Sequence, residues 1–240
     1  MKFAVLAFSL LIAAGLLNAP VAAEILYDWS FDDAAGTSLT DAAQSGFRDG
    51  TWDEAFDRSF TQGDGTFRIR RPVGGPANAF VALDPPLTGK AWLVVESSGW
   101  QLRGRVANEV LRIGFVERKH DERPQVTAQI RIERSDENEV SIGGDAFVTA
   151  NGATLIDDQA LLTATQRDPV TLVLEVDLDE NTYAIHYKVG AAPFVELGTG
   201  SIDPNRGARY LRWGAAGGFS STAGEHFDIQ RMYVTTTDPR

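Results

Sequence analysis

The sequence predicts an all-β protein, an antiparallel two-sheet β-sandwich, from three observations. Residues 171–190 read TLVLEVDLDENTYAIHYKVG, in which Leu172, Leu174 and Val176 alternate with outward positions before an Asp- and Asn-rich turn. Residues 182–189 repeat the alternation after the turn, which is typical of an antiparallel hairpin with one buried face. Residues 125–134 alternate in the same way, and about a dozen such short strands separated by turns are typical of a sandwich.

The first 23 residues have the pattern of a secretory signal peptide. Lys2 precedes a short apolar run over residues 3–17, and Val21-Ala22-Ala23 is a small-residue cleavage site. The alternative is an uncleaved anchor, but the run is short against the about 20 apolar residues that span a bilayer. We therefore expect a signal peptide over 1–23, no membrane insertion after its cleavage, and a secreted or periplasmic mature protein.

The mature chain, residues 24–240, has the size and composition of one domain without disulfides. It holds 217 residues and no Cys, and β domains of about 200–250 residues are common. An exported chain without Cys indicates a bacterial source and excludes thiol catalysis and Cys-ligated zinc. Because Lys2 is the only charge in the signal, the mature net charge is −12, which argues against nucleic acid as a partner.

The predicted elements follow one another with little between them except turns rich in Gly, Pro, Asn and Asp, the residues that turn geometry favours. No internal repeat, low-complexity linker or second domain interrupts them, and one short helical turn is predicted at residues 157–167. The predicted strands are residues 24–33, 66–71, 79–83, 91–97, 110–118, 125–134, 140–142, 146–149, 171–176, 182–189, 194–198, 210–215 and 227–236.

Three stretches resemble laminin-G-like, concanavalin A-like jelly rolls. Residues 27–37 contain W-S-F-D followed by Gly36-Thr37, residues 176–183 read VDLDENTY, and residues 225–234 read EHFDIQRMYV. These resemble the first strand, a central hairpin and the last strand of such domains. The resemblance implies one concanavalin A-like jelly-roll domain over 24–240. Because that fold hosts lectins, carbohydrate-binding modules, glycosidases and polysaccharide lyases, the function must be argued from the site.

Outward side chains of the alternating strands form a basic face if those strands share one sheet. A jelly roll curves its sheets, so the face would be a groove, and Arg binds carboxylates or sulfates bidentately. The alternative is an ordinary exposed sheet surface with cross-strand ion pairs. The candidate sugar-binding residues are Arg112, Gln129, Arg131, Glu133, Glu175, His186, Lys188 and Arg212, with Arg103 and Arg105 from a neighbouring segment and Trp100 as a loop-borne stacking platform.

The first prediction of function is therefore recognition of an extracellular polysaccharide, with an acidic one favoured. The second is a polysaccharide lyase, in which Arg112 and Gln129 neutralise a uronate while His186 and Tyr210 exchange protons. Gln129-Ile130-Arg131 has Arg where similar alginate lyases have His, which weakens this alternative.

Two further alternatives concern other uses of the same fold. A glycoside hydrolase would use Glu175, Asp177 and Glu180, which match E-x-D-x-x-E, although residues 178–181 read as a turn. A structural or adhesive module that binds proteins is the other alternative.

The resemblance also implies one structural Ca²⁺ where the loop after the first strand meets the last strand. The predicted ligands are Asp32, Asp33 and Asp228, since Ca²⁺ prefers carboxylate and carbonyl oxygens. The alternative is that these turn acids accept hydrogen bonds from backbone N–H groups.

Overall fold

Strands account for most of the described chain in the computed structural model, which describes residues 24–39, 45–46, 59–70, 77–102, 108–119, 126–136, 138–147, 153–215 and 224–240. The sixteen described strands are β1 (Ile25–Trp29), β2 (Ser45–Gly46), β3 (Phe60–Thr61), β4 (Phe67–Ile69), β5 (Ala77–Leu87), β6 (Lys90–Gln101), β7 (Asn108–Val116), β8 (Val126–Arg134), β9 (Glu139–Phe147), β10 (Ala153–Thr163), β11 (Thr165–Gln166), β12 (Val170–Asp177), β13 (Thr182–Val189), β14 (Val195–Ser201), β15 (Ala208–Ala215) and β16 (His226–Thr235).

The strands form two antiparallel sheets. Sheet A has the order β14-β13-β12-β6-β16-β1-β2, with β11 on β6, β4 on β16 and β3 on β4. Sheet B has the order β10-β9-β8-β7-β15-β5. The predicted antiparallel sandwich is therefore confirmed, and the connections between non-neighbouring strands give it the topology of a jelly roll.

The hairpin β12–β13 has the predicted register and the predicted buried face. Leu174 lies opposite Ile185 and Val176 lies opposite Tyr183, and all four side chains belong to the core. Asp177 Oδ1 accepts hydrogen bonds from two backbone N–H groups of the turn, at 3.2 Å and 3.0 Å. The turn therefore terminates β12 before Glu180, as the sequence predicted.

The core lies between the two sheets and contains a cluster of aromatic rings. The ring of Trp213, on β15 of sheet B, lies 5.4 Å from that of Phe67 on β4 of sheet A and 6.2 Å from that of Phe31. All three side chains are fully buried. The two sheets are thus joined by large apolar side chains, whose burial contributes most of the stability of such a domain.

One prediction about local structure was wrong. Residues 157–167 were predicted as a helical turn, but they belong to β10 and β11, which pair with β9 and β6. The β-branched Thr163 and Thr165 favour a strand there. No described residue lies in a helix, and accordingly no described helix is long and apolar enough to cross a membrane. The predicted signal peptide lies outside the described residues.

Candidate functional site

The predicted polar face is divided between the two sheets, so the expectation of one shared sheet was wrong. The hairpin β12–β13 pairs with β6 rather than with β8, which places it in sheet A. Core residues flank Gln129 and Arg212 on sheet B and Glu175 on sheet A along their strands, so both groups point outward, on opposite sides of the sandwich. Arg112, Gln129, Arg131, Glu133, Tyr210 and Arg212 lie on sheet B, Glu175, His186 and Lys188 lie on sheet A, and Arg103 and Arg105 lie outside the described residues.

The group on sheet B is called here the polar face of sheet B, and it includes one acid that was not predicted, Asp145. Its residues lie side by side because of the strand register. Arg212 is opposite Gly114, Gly114 is opposite Gln129, and Gln129 is opposite Asp145. Its members are Arg112, Gln129, Arg131, Glu133, Asp145 and Arg212, which come from β7, β8, β9 and β15.

Gln129 is the most informative member of the polar face. Its Nε2 donates a hydrogen bond of 2.7 Å to Asp145 Oδ1, and this bond fixes which way the amide points. Its Oε1 is buried and has no hydrogen-bond partner in the described structure, and the side chain is only 2% exposed. A buried acceptor without a donor costs about 1–3 kcal/mol, so a ligand hydroxyl that reached it would gain a strong contact.

Glycine makes room for these long polar side chains. A Cβ on Gly114 would clash with the carbonyl oxygen of Ala128 and with the Cα and Cβ atoms of Gln129. The absent side chain therefore lets Gln129 lie against the bare backbone of β7. On the neighbouring strand, Arg212 Nε donates to Asn78 Oδ1 at 2.9 Å, and the Arg212 side chain is 1% exposed.

A cavity of about 370 Å³, called here the Tyr210 cavity, lies at the end of the polar face where β7 finishes and β15 starts. It is lined by Glu117, Arg118, Lys119, Arg209 and Tyr210. Glu117 is held in place because its carboxylate accepts from Gly207 N at 2.7 Å and lies 2.9 Å from Arg209 Nε. Of these five residues only Tyr210 was predicted. The charged run Glu117-Arg118-Lys119 directly after a strand was a signal that could have indicated the rest.

The group on sheet A surrounds Glu175 and involves the end of the sequence. The Glu175 carboxylate lies 2.5 Å from Lys90 Nζ and 2.9 Å from Arg240 Nη2, and it accepts from Trp92 Nε1 at 3.2 Å. His186 Nε2 lies 3.5 Å from the same carboxylate. Arg240 Nη1 contacts both nitrogens of the His186 ring. Glu175 is therefore engaged by several cations at once.

These contacts shift the pKa values of both titratable groups. Burial lowers the pKa of His186 below 6.5, and the charge of Arg240 lowers that pKa further against the opposing effect of Glu175. Burial alone would raise the pKa of Glu175, but Lys90 and Arg240 outweigh burial and lower that pKa below 4.5. Near neutral pH the cluster consequently holds a neutral imidazole and an ionised carboxylate.

The residues predicted for an enzyme are not brought together. His186 lies on the outward face of sheet A, whereas Arg112, Gln129 and Tyr210 lie on the outward side of sheet B. Neither of the two described histidines, His186 and His226, is on the polar face. The hydrolase alternative lacks its third acid on the strand, because Glu180 belongs to the turn after β12.

Trp100 differs from the prediction in its environment. It lies in β6 rather than in a loop, it is 2% exposed, and its ring stacks on Phe227 with the centroids 5.1 Å apart. Its Nε1 donates to the Thr163 carbonyl at 2.9 Å. Because the Trp100 side chain is almost completely buried, neither face of its ring is available to a sugar. The stacking role predicted for Trp100 therefore does not fit its position.

The residues predicted to bind calcium do not form a ligand set in the described structure. Both carboxylate oxygens of Asp228 accept hydrogen bonds from Arg68, at 2.8 Å and 2.6 Å. The Ala34 carbonyl in the loop after β1 accepts from the Thr37 and Thr61 hydroxyls. No cluster of three or more His, Cys, Asp or Glu side chains suited to a metal occurs among the described residues. Calcium at Asp32, Asp33 and Asp228 stays a prediction from the resemblance.

Comparisons with known proteins give a match in structure alone. No family model matches the sequence, and no curated protein matches it significantly. The botulinum neurotoxin serotype D binding domain superimposes with a TM-score of 0.52 and 4% identity, over 90% of this chain and 48% of that one. This chain thus spans about half the length of the neurotoxin domain.

Two lectin-like structures are also similar. The legume lectin-like domain from Entamoeba histolytica has a TM-score of 0.48 and 13% identity, over 73% of this chain and 85% of that chain. The exoplasmic/lumenal domain of VIP36, in its Ca²⁺/Man₃GlcNAc-bound form, has a TM-score of 0.47 and 12% identity, over 79% and 85%. Such low identities bear on the fold alone. The chain therefore has the fold of an antiparallel jelly-roll β-sandwich, which is consistent with the concanavalin A-like, laminin-G-like fold that the resemblance implied.

Proposed function

We propose that the protein is an exported jelly-roll module that recognises carbohydrate, and that the polar face of sheet B binds an acidic polysaccharide outside the cytoplasm. The fold is one that hosts sugar-binding proteins, but a fold does not imply a function. The argument therefore depends on the residues of the polar face.

One observation carries the proposal, which is the unpartnered Oε1 of Gln129 on a sheet face that also carries three arginines. A sugar hydroxyl can donate to this buried acceptor and remove its cost. Arg112, Arg131 and Arg212 lie on the same face of β7, β8 and β15, and guanidinium groups donate in a geometry that suits carboxylates and sulfates. A glycan that carries both hydroxyl and acidic groups complements this arrangement.

The proposal is tested by measuring binding of the mature chain, residues 24–240, to a panel of acidic and neutral polysaccharides. Binding is read by calorimetry, and the ultraviolet absorbance of unsaturated uronates is followed in the same samples. We expect binding of an acidic polysaccharide without a gain in absorbance. A gain in absorbance would mean that the protein is a lyase and not a binding module. The absence of binding to every acidic polysaccharide would contradict the proposal.

A matched pair of variants locates the surface. Arg112→Gln removes a cation from the polar face, whereas Lys188→Gln removes a cation from the outward face of sheet A, where its Nζ lies 4.7 Å from the Phe194 ring. We expect Arg112→Gln to weaken binding about tenfold, the scale of a lost charge-assisted hydrogen bond, and Lys188→Gln to leave it unchanged. Equal losses in the two variants would exclude the polar face as the specific site.

A further inference from the structure

We infer that the Tyr210 cavity is an anion subsite, in which one acidic sugar unit packs on Tyr210 while Arg118 and Lys119 bind its carboxylate or sulfate group. The inference rests on the proposed carbohydrate recognition and adds where, and by which side chains, the charge of the sugar is recognised.

The cavity continues the polar face. Tyr210 and Arg212 alternate on β15 and point to the same outward side, and two residues along a strand span roughly 7 Å. A glycan chain that lies on the polar face therefore reaches the cavity without changing direction. Its volume of about 370 Å³ is within the range of small-molecule sites, about 300–1,000 Å³.

Tyr210 is held firmly enough to serve as a platform. One side of the half-buried ring packs against Phe80, Val116 and Val126, a small apolar cluster on the outward side of sheet B. The hydroxyl has no hydrogen-bond partner among the described residues, although the residue lines the cavity. A tyrosine of this kind offers an apolar ring for the face of a sugar and a hydroxyl for its oxygen atoms.

The charges that line the cavity are unbalanced in favour of an anion. Three cations line it against one carboxylate, and that carboxylate, Glu117, is already engaged by Arg209 and by the Gly207 N–H group. Arg118 has no ion-pair partner in the part of the chain that the structure describes, and Lys119 Nζ lies 5.5 Å from the Tyr210 ring centroid. On a chain of net charge −11, this local excess of positive charge attracts acidic groups to one place.

The subsite is tested with a matched pair of sugars, glucuronate and glucose, which differ in the carboxylate. Both are titrated into the mature protein while the backbone amide signals of Gly207, Arg209 and Tyr210 are followed by NMR. We expect glucuronate to shift these signals at concentrations about fivefold lower than glucose, the scale of one or two exposed ion pairs. Equal concentrations for the two sugars would overturn the inference.

Variants then show which side chains of the Tyr210 cavity cause the preference for glucuronate over glucose. The double change Arg118→Gln and Lys119→Gln should abolish the difference between the sugars and leave the glucose titration unchanged, whereas Tyr210→Leu should weaken both titrations. Arg167→Gln, an exposed cation outside the cavity, is the control and should change neither. A double variant that retained the preference would overturn the inference. Polysaccharide binding without any sugar-induced shift at the cavity would overturn the inference and leave the proposed function standing. The absence of all polysaccharide binding would overturn the proposed function, on which the inference rests.

Discussion

Gly114 shows how one absent side chain shapes the candidate site. The side chain of Gln129, on β8, lies against the backbone of β7 at this position. From there it donates a hydrogen bond to Asp145 on β9. The nearest contacts of a Cβ at Gly114 would be two backbone atoms and the Cβ of Gln129, and none of these can move aside as the end of a flexible side chain can. At the residue scale, the position of the unpartnered Oε1 therefore depends on a glycine two strands away from Asp145.

We predict that Gly114→Val destabilises the protein by about 1–3 kcal/mol, the usual effect of overpacking, and weakens acidic-glycan binding more than stability alone explains. Urea denaturation measures the first effect, and calorimetry under conditions where the variant is folded measures the second. Gly190→Asn is the control, because a Cβ there meets no atom within 4 Å and Asn tolerates its φ of 54°. Unchanged stability of Gly114→Val would contradict the packing described.

At the scale of elements, the segment after β16 acts as a strap on sheet A. Residues 236–240 run from β16 towards β13, and the strap ends with Arg240 on His186 and Glu175. Arg240 also forms two bonds of 2.7 Å with Asp238, so its guanidinium is fixed in orientation. Because a guanidinium is always a donor, its contact with the ring requires a neutral His186.

We predict that acid weakens the strap and the stability of the whole domain through His186. Its pKa is lowered in the folded state by burial and Arg240, so the unfolded chain binds the proton more readily. The stability contributed by neutral His186 is complete above about pH 6.5 and is lost as the pH falls through the lowered pKa. The charged groups that act on the ring are Glu175, Glu196, Asp238 and Arg240, and Lys90 pairs with Glu175 beside it.

The measurement is the melting temperature as a function of pH for the wild type and two variants. His186→Gln should remove the pH dependence that begins below 6.5. Arg240→Gln should make this dependence smaller and complete at a higher pH, because one of the two causes of the lowered pKa is gone. Loss of stability at still lower pH, where Glu175 accepts a proton, should remain in His186→Gln. An unchanged profile in His186→Gln would show that the dependence has another origin.

At the scale of the whole molecule, the sandwich is held by aromatic side chains that reach from one sheet to the other. Trp213 of sheet B contacts Phe67 of sheet A and Phe31 in the loop after β1. Since all three are completely buried, their contacts are lost together when the sheets separate. The cluster thus couples the strand that carries Arg212 and Tyr210 to the opposite sheet.

We predict that Trp213→Ala destabilises the domain by about 3–5 kcal/mol, as large-to-small changes of buried aromatic residues do. Phe60→Ala is the matched control, because that ring is 36% exposed, and its effect should stay below about 1 kcal/mol. Chemical denaturation of both variants gives the two values. Similar values for the two variants would mean that the cluster does not hold the sheets together.

Strand alternation predicted which side of a strand is buried, but it could not predict which strands are neighbours. The buried faces of β12 and β13 were correct, and so was that of β8 from Ala128 to Ile132, because period two is a local property of the sequence. Val126 was predicted to face inward but lies in the outward apolar cluster, because the register of β7 and β8 shifts beside it. The separation of His186 from Gln129 was not predictable, since it depends on the long-range pairing of β12 with β6. Trp100 was placed in a loop because Ser97-Ser98-Gly99 reads as a turn, whereas β6 continues through it.

The Tyr210 cavity was missed for a related reason. Glu117, Arg118 and Lys119 are distant in sequence from Arg209 and Tyr210, and only the pairing of β7 with β15 brings them together. Single residues of the site could therefore be named from the sequence, but their grouping required the sheet order.

The position of β16 in sheet A has a consequence for the order of folding. This strand lies inside the sheet, where it pairs with β6 on one side and with β1 and β4 on the other. Among the described strands, β16 is the one that joins β1 to β6, although it is distant from both in the sequence. Because such non-local pairing carries a loop-closure cost, we expect sheet A to form late and the domain to fold slowly.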